Sequence, residues 1–320
     1  MTDIGCAGIL VADTFYGPLT ALPQEGQLIA VDTVVTRAGG CAANVAICLS
    51  KQGVQADVVG CLGRDLSARL VIESLEGVGI GTEHITYSET ESTSQTAVLL
   101  VQGQDRRYVH LFGANKALSI AQIDRWWLGQ LKVFYLGGLF VLPGIQAEAF
   151  CDLLQFCRGK GVTTVIDVVI PQHVQDFHLL KQALPYIDYF LPNEDEARQI
   201  TGQVKVADQL QALQAMGAGT VIVTRGPKGV MASRDRTTWQ AGTFPVNSVD
   251  SSGSGDAFAA GVLLGIINGW PMERLLTHAS AFGASATRAI GTTDGVFTAA
   301  ELDSFLSVHP LDITRQERLQ

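Results

Sequence analysis

Residues 249–258 read VDSSGSGDAF and continue as an apolar run to residue 267. The apolar run predicts a buried helix, so the glycines fall at its start, where backbone N–H groups have no partner within the helix. Those amides and the positive end of the helix dipole favour an anion, most commonly phosphate. Asp256 is a carboxylate beside this anion cradle, which predicts a general base for a hydroxyl that attacks phosphorus. The alternative is an ordinary capped helix, because Asp and Ser are common at helix starts.

The composition is that of a globular protein with ample apolar material for a core. The chain has 320 residues, 47% hydrophobic and 17% charged, which suits one large or two small domains. The formal net charge of −9 argues against non-specific nucleic-acid binding, which depends on Lys and Arg. The first residues lack the basic segment of a signal peptide, and no apolar run is long enough to span a bilayer. We therefore expect a cytoplasmic protein with no nucleic-acid or membrane partner.

The order of apolar runs predicts an α/β fold with a doubly wound, mostly parallel sheet flanked by helices. A first buried strand is predicted over residues 4–11. After residue 119, helical patterns alternate with short, continuously apolar strands, as parallel strands covered on both faces require. These strands are predicted near 133–136, 163–167, 189–191 and 220–224, and the helices near 119–129, 146–158, 174–184, 194–200 and 207–216. The polar tail over 312–320 is expected to be loose.

Two stretches, near 15–38 and 94–112, interrupt this pattern. The second alternates between apolar and polar residues on both sides of Gly103, as a hairpin does. Each stretch is too small to fold alone, so we expect the two to form a small β lid on a single domain over 1–320. An apolar face on the lid would favour a homodimer in which a second subunit covers that face. The alternative is a monomer whose lid folds onto the main sheet and helices of the same chain. The residues assigned to that face are Val98, Leu100, Val109 and Leu111.

Several polar residues follow predicted strands or glycine turns. Asp13 ends the first apolar run and Asp167 ends a later one. Ligands of open α/β sheets bind at the carboxyl ends of strands. A carboxylate there can accept two hydrogen bonds from a diol, or it can simply start a loop. Gly39 and Gly40 permit a close backbone approach to a ligand, and Asn44 lies in the first turn of the following helix.

The 249–258 stretch resembles the D-T-x-G-A-G-D signature of the ribokinase-like (PfkB-type) carbohydrate kinases. Ser251 stands for the usual Thr and Ser254 for the usual Ala, and both replacements keep a small residue where the backbone must approach phosphate. In that family the last Asp is the base, and the Gly-x-Gly amides hold the charge that develops on the transferred phosphoryl group. The resemblance implies catalytic roles for Asp256, Gly253, Ser254 and Gly255.

Other motifs follow in the family's order along nearly the whole chain. A G-G-x-x-x-N pattern, which reads sugar hydroxyls in the family, runs over residues 39–44. A G-A-N segment follows Arg106 and Arg107, and the family often has such residues close to the acceptor or the transferred phosphate. The family's D-P-N is replaced by D-V-V at 167–169, which leaves the acceptor's identity open. The implied acceptor-binding residues are Asp13, Gly39, Gly40, Asn44, Asn115 and Asp167.

The nucleotide site implied by the resemblance uses two motifs. An N-x-x-E motif ends at Glu196, which in the family acts on magnesium, generally through its water shell. A T-x-G-x-x-G loop spans 224–229. His278 falls where relatives touch adenine, although a lone His on an apolar helix is more often simply packed. The implied nucleotide contacts are Asn193, Thr224, Gly226, Gly229 and His278. Asp250 and Ser252, with the loop over 291–295, match a site for a monovalent cation such as K⁺.

Together these features predict an enzyme with ATP as co-substrate and Mg²⁺ as cofactor. It is expected to transfer the γ-phosphoryl group to a hydroxyl of a small sugar. A nucleoside kinase of the same fold is the alternative within enzymes, because it would share the sugar contacts. A non-catalytic sugar-binding regulator is the alternative outside them. The intact Asp256 argues against the regulator, since a binding protein has no use for a base at that place.

Overall fold

The computed structural model describes residues 2–104 and 106–317. Its strands are β1 (Ile4–Gly8), β2 (Val11–Leu19), β3 (Val34–Gly39), β4 (Ala56–Leu62), β5 (Ile85–Tyr87), β6 (Ser94–Val101), β7 (Arg107–Leu111), β8 (Val133–Gly137), β9 (Thr163–Ile166), β10 (Tyr189–Phe190), β11 (Thr220–Thr224), β12 (Val230–Arg234), β13 (Thr237–Ala241) and β14 (Ile313–Glu317). Its α-helices are α1 (Cys41–Ser50), α2 (Leu66–Glu76), α3 (Arg125–Leu128), α4 (Ala147–Lys160), α5 (His178–Ala183), α6 (Glu194–Thr201), α7 (Val206–Ala215), α8 (Ser254–Ile267), α9 (Met272–Ala286) and α10 (Ala299–Val308).

The larger sheet has the strand order β14-β13-β12-β11-β10-β9-β8-β1-β4-β5. Every neighbouring pair from β11 to β5 is parallel, and the three pairs at the other end are antiparallel. The predicted fold class is therefore confirmed. The carboxyl ends of the parallel strands form one edge of the sheet, and ligands of such sheets bind at that edge.

Helices cover both faces of this sheet because its strands alternate between two apolar cores. On β1, Ile4 and Cys6 pack into the core formed with α1, α8 and α9, whereas Ala7 packs into the core formed with α4, α5 and α7. Successive side chains of a strand point to opposite faces of the sheet. Because an apolar core covers each face, every residue of the strand must be apolar, which explains the unbroken apolar runs.

A second sheet has the strand order β3-β2-β6-β7 and comes from the two interrupting stretches. The predicted first strand over 4–11 is in fact two strands: β1 ends at Gly8, and β2 starts at Val11 in the small sheet. The chain thus passes from one sheet to the other just before Asp13. We call the β3-β2-β6-β7 sheet the lid sheet.

The register of the lid sheet corrects the predicted greasy face. Ala97 pairs with Val109 and Val98 pairs with Tyr108, so Val98 and Val109 lie on opposite faces. Val98 is buried on the inner face. The sequence pattern gave two alternating strands without their relative register, so the prediction joined residues from both faces. The outward apolar residues are Tyr16, Val34, Leu99, Val109 and Leu111.

Three other element predictions were wrong. Residues 119–129 form a short 3₁₀ turn and the four-residue α3, because Asp124 caps a new helix start through the N–H groups of Trp126 and Trp127. The predicted helix over 174–184 begins only at His178. The tail is not loose up to residue 317, since β14 pairs with β13. An edge strand needs backbone partners rather than apolar side chains, so its polar sequence gave no signal.

The described residues include no helix that is both long and apolar enough to cross a bilayer. All six cysteines are unpaired, and five of them are buried.

Candidate active site

The glycine-rich stretch forms the start of α8. Gly253 caps the helix with φ 73°, a left-handed conformation, and a Cβ there would clash with the Thr292 carbonyl oxygen. At Gly255 a Cβ would meet no protein atom within 4 Å. The protein's own packing therefore requires Gly253, whereas the space beside Gly255 belongs to the cleft and leaves room for a bound group.

Asp256 lies in the first turn of α8 and is held by a chain of hydrogen bonds. Asn44 Nδ2 donates to Asp256 Oδ2 at 2.7 Å, and Thr292 Oγ1 donates to Asn44 Oδ1 at 2.7 Å. Burial raises the pKa of the Asp256 carboxyl, while hydrogen bonds from Asn44 and the Cys41 thiol lower it. The structure thus gives Asn44 a contact with the predicted base, in addition to the acceptor contact predicted from the sequence.

Asp13 is buried at the inner face of the lid sheet. Burial raises its pKa to about 6, a hydrogen bond from Thr96 lowers it, and the negative charge of Asp256 adds to the rise. Gly39 packs against the Asp13 carboxylate and lies two residues before Cys41, whose thiol bonds Asp256, so both carboxyl groups lie near the start of α1. A diol bound by Asp13 would therefore lie close to the candidate base.

The predicted Gly39-Gly40 pair is explained by packing within the protein. A Cβ on Gly39 would overlap the Asp13 carboxylate, and a Cβ on Gly40 would overlap the Ile9 carbonyl oxygen. Gly40, at φ 88°, also precedes the first residue of α1. These glycines let α1 and β3 approach Asp13, so their effect on a ligand is indirect.

Asn115 bonds the backbone of Leu10. Its side chain is buried, with Oδ1 accepting from Leu10 N and Nδ2 donating to Leu10 O, both at 3.0 Å. The amide thereby fixes the backbone where the chain leaves β1 for the lid sheet. Asn115 thus positions the segment that carries Asp13, and its contact with an acceptor stays a prediction.

A cavity of about 750 Å³ extends from Asp256 along the carboxyl edge of the sheet. Its floor near the base carries Asp167 and Glu196, and its far end is lined by the segment over 242–246 and by one side of α9. The far walls are largely apolar, with Phe244 and Val246 among them. The cavity has the shape of a cleft with a charged end and an apolar end, as nucleotide sites often have.

Asp167 and Glu196 are a pair of carboxyl groups that share the charged end. Burial raises the pKa of Glu196 to about 7. The pKa of Asp167 lies well above its usual range because of burial and the negative charges of Glu196 and Asp256. Two carboxylates that repel each other in a cleft fit one divalent cation, and Mg²⁺ is commonly held by one or two carboxylates plus water and phosphate. In the described part of the chain, no cluster of three or more His, Cys, Asp or Glu side chains is arranged to hold a metal alone.

Glu196 is oriented by the start of α6. Its Oε2 accepts from Asn193 N at 2.9 Å, while Asn193 Oδ1 accepts from the N–H groups of Asp195 and Glu196. This reciprocal capping box explains the N-x-x-E spacing by helix geometry alone. It also leaves both side chains on the cavity wall.

The T-x-G-x-x-G loop lies where the sequence predicts it. Thr224, Gly226 and Gly229 all line the cavity. Gly229 has φ 82°, and a Cβ there would clash with the Ala241 carbonyl oxygen, so the turn into β12 requires glycine. Arg225 and Lys228 reach instead to Glu194, at 3.7 and 3.5 Å.

His278 is packed rather than placed in the cleft. Its ring lies 4.2 Å from the ring of Trp270, measured between centroids, and its Nδ1 lies 2.9 Å from the Arg274 carbonyl oxygen. Within the described residues, a different face of α9 from the one that carries His278 lines the cavity. The predicted adenine contact of His278 stays a prediction, and the α9 residues that line this wall are Ser280, Gly283, Ala284 and Thr287.

Asp250 lies buried just before the anion cradle. Its Oδ1 accepts from Ser252 N at 2.9 Å and from Ser252 Oγ at 2.8 Å, and its Oδ2 accepts from Gly291 N at 3.2 Å. The Arg106 guanidinium of the lid sheet approaches Oδ1 to 3.5 Å. The loop at 291–292 therefore supports both Asp250 and the Asn44–Asp256 contact.

Comparison with known proteins agrees with this geometry. The sequence pattern of the pfkB family carbohydrate kinases matches residues 1–299. The chain belongs to this family. It is 26% identical over 276 residues to the ribokinase of Haemophilus influenzae, covering 84% of this chain and 87% of that protein. It is 28% identical over 250 residues to the fructoselysine 6-kinase of Shigella flexneri, covering 77% and 88%. The structure of Arabidopsis thaliana ribokinase complexed with ribose and ATP has the same fold, with a TM-score of 0.83 at 24% identity over 97% of this chain and 100% of that one.

In this carbohydrate kinase, the structure brings most predicted site residues to one edge of the sheet. It also shows contacts of three side chains that the sequence did not predict. Thr292 supports Asn44, the Cys41 thiol bonds Asp256, and Arg106 approaches Asp250. Cys41 had a signal, since it directly follows the glycine pair at the start of α1. The other two are joined to their partners only by the fold.

Proposed function

We propose that this carbohydrate kinase transfers the γ-phosphoryl group of ATP to a hydroxyl of a small sugar, with Asp256 as general base. The observation that carries the proposal is the place of Asp256, in the first turn of α8 and hydrogen-bonded to Asn44 of α1, the helix that follows Gly39 and its contact with the Asp13 carboxylate. A carboxylate between an anion cradle and a diol-binding group can accept the proton of the attacking hydroxyl.

The surroundings of Asp256 suit a base. A raised pKa makes the ionised carboxylate a stronger proton acceptor, and burial supplies that rise. The hydrogen bonds from Asn44 and Cys41 favour the charged form and fix its direction. Burial and hydrogen bonding thus act on the pKa of Asp256 in opposite directions.

The start of α8 supplies the other half of the chemistry. Gly253, Ser254 and Gly255 form the helix start, where the dipole is positive; the Ser254 N–H donates to the Ser251 carbonyl oxygen at 3.4 Å, so Gly253 and Gly255 would supply the principal donors. Donors fixed in this way stabilise the charge that develops on the equatorial oxygens of the transferred group, without reorganisation during the step. The open space at Gly255 leaves room for that group.

Glu196 and Asp167 fit a magnesium ion on the nucleotide side of the base. A bound Mg²⁺ would neutralise charge on the β- and γ-phosphates. The two carboxylates would hold the ion, and the Asn193 N–H keeps Glu196 in place through its hydrogen bond. The apolar end of the cavity, near Phe244, would then receive the nucleotide base.

A sugar acceptor is supported by Asp13 and by the relatives. The carboxylate lies under the lid sheet, where it can accept hydrogen bonds from two adjacent hydroxyls. The relatives include a ribokinase and a fructoselysine 6-kinase, and the Arabidopsis ribokinase was solved with ribose and ATP. Acceptors that differ this much share a sugar and little else.

A panel of sugars and nucleosides with Mg-ATP, followed by ADP release, tests the proposal. We expect one or more free sugars to support turnover that disappears with Asp256→Asn. Turnover with nucleosides alone would favour the nucleoside kinase. ADP release that is independent of every acceptor, and unchanged in Asp256→Asn, would contradict the assigned mechanism.

We also propose that the lid sheet forms a homodimer. Its outer face exposes Val34, Val109 and Leu111, with 52%, 66% and 45% of their surface accessible. The β7 strand is also an open sheet edge. A second copy of the same face would cover these side chains in a two-fold arrangement.

A further inference from the structure

Arg106 connects the lid sheet to the loop that opens the anion cradle. Its Nη1 lies 3.5 Å from Asp250 Oδ1 and donates to Ser251 Oγ. The guanidinium also bonds the Tyr108 hydroxyl and lies 5.7 Å from the centre of that ring. Tyr108 and Ser251 belong to elements far apart in the chain, so the arginine ties the lid hairpin to residues 250–251.

The ion pair with Asp250 is more enclosed than the other ion pairs of the lid. The Asp250 side chain is 3% exposed and that of Arg106 is 20% exposed. By contrast, the Arg37 and Asp294 side chains that meet at the opposite lid edge are 51% and 44% exposed. A buried carboxylate needs a compensating charge, because it has lost most of its hydration.

The need is greater here because of what lies next to Asp250. Asp250 is separated only by Ser251 and Ser252 from Gly253, the first of the residues whose amides would hold the transferred phosphoryl group. An uncompensated negative charge at this position would repel that group and weaken the cradle. A positive charge beside the Asp250 carboxylate is thus part of a working anion site.

The monovalent cation implied by the sequence resemblance does not fit beside this arrangement. Both Asp250 oxygens already accept protein hydrogen bonds, from Ser252 N, Ser252 Oγ and Gly291 N. The guanidinium occupies the approach to Oδ1. A second cation at the same carboxylate would be repelled by the first, at a distance where little water screens them.

We propose that Arg106 takes the place of a monovalent cation at Asp250. The proposal rests on the phosphoryl transfer proposed above and adds how its anion cradle is neutralised. The kinase then has no requirement for K⁺, and the charge on Asp250 is compensated only while the lid hairpin is seated. Arg106 is a positioning residue in this account, since it acts through Asp250 and the loop rather than on the reacting atoms.

The test compares Arg106→Gln with Arg107→Gln in KCl and in choline chloride at equal ionic strength. Arg107 is the matched control because it is the next residue, is exposed and bonds Gln104. The assay uses Mg-ATP and the sugar that the panel identifies. Wild type should turn over at the same rate in KCl and in choline chloride, and the rate of Arg107→Gln should likewise not depend on the salt. Arg106→Gln should be slower in choline by at least about tenfold and should recover in KCl. Arg106→Lys, which keeps the charge, should need no K⁺.

Thermal melting in the same two salts gives a second readout that needs no turnover. KCl should raise the melting temperature of Arg106→Gln above its value in choline and leave wild type and Arg107→Gln unchanged. Clear activation or stabilisation of wild type by KCl would overturn the proposal, as would an Arg106→Gln variant that behaves like Arg107→Gln in both salts. Absence of turnover with every acceptor would count against the proposed function, while the melting comparison would still decide the role of Arg106.

Discussion

The amide of Asn44 donates to the carboxylate of Asp256 at 2.7 Å, across 212 residues of sequence. The contact joins the first turn of α1 to the first turn of α8. Asn44 is itself fixed by Thr292, whose hydroxyl donates to the other end of the amide. The orientation of the proposed base therefore depends on three segments that only the fold brings together.

Asn44→Ala should lower kcat more than it raises the KM of the acceptor. The substitution leaves Asp256 free to rotate and removes a hydrogen bond to its charged form, which costs about 1.5–3 kcal/mol or roughly 10–100-fold in rate. Steady-state kinetics with the acceptor and with ATP measure the split. Asn268→Ala, at the far end of α8, is the control. A pure rise in acceptor KM would return Asn44 to the sugar-binding role predicted from the sequence.

Acceptor binding should weaken as the pH falls through about 6. The pKa of Asp13 is raised to about 6, and only the ionised carboxylate can accept hydrogen bonds at both oxygens. Lowering the pH protonates Asp13, so kcat/KM for the acceptor falls while the KM for ATP changes little. Asp13→Asn should have low acceptor affinity at every pH and lack this limb of the profile. If Asp13→Asn showed the same fall in kcat/KM at low pH, the titration would belong to another group.

Glu196→Gln should stabilise the protein in weakly alkaline solution and impair its use of magnesium. Because the folded-state pKa of Glu196 is raised to about 7, its favourable contribution is present at low pH and is lost as pH rises through about 7. The variant avoids that loss. Its melting temperature should therefore exceed that of wild type by a few degrees at a pH of about 8 and should match it at a pH of about 5.

Activity gives the second half of the Glu196 test. The variant should need more Mg²⁺ for half-maximal rate, since one of two carboxylates at the site is neutral. Asp195→Asn is the control, because this neighbouring carboxylate is exposed and paired with Arg198. Equal magnesium dependence of wild type and Glu196→Gln would leave Glu196 with only its helix-capping role.

Val109→Asp should dissociate the proposed dimer. The side chain is exposed on the outer face of the lid sheet, and a buried unpaired charge there would oppose association. Light scattering measures the mass of wild type and variant. Val204→Asp, also exposed but away from the lid, should remain dimeric. A monomeric wild type would contradict the lid interface, and so would a Val109→Asp variant that stays dimeric.

The parts of the fold that the sequence predicts are those fixed by local physical requirements. Short apolar runs such as β8, which alternate along the chain with helical patterns, indicate strands covered on both faces. Gly253 and Gly229 need positive φ, so motifs built on them report real turns. The turns at the start of α8 and before β12 were predictable for this reason.

The wrong predictions concern pairings between distant segments. Apolar alternation on β6 and β7 did not reveal that Val98 faces Tyr108 instead of Val109. The polar tail gave no sign that it would pair with β13, because an edge strand is held through its backbone.

The most direct test of the account is the turnover of Asp256→Asn with Mg-ATP and the sugar identified by the panel. The amide keeps the shape of the side chain but cannot accept a proton, so we predict a fall in kcat of about 10²–10⁴-fold with ATP binding retained. Asp208→Asn is the control, because Asp208 is another carboxylate in the first turn of a helix and is exposed. A well-folded Asp256→Asn enzyme that turns over as fast as Asp208→Asn would contradict the assignment of Asp256 as the base.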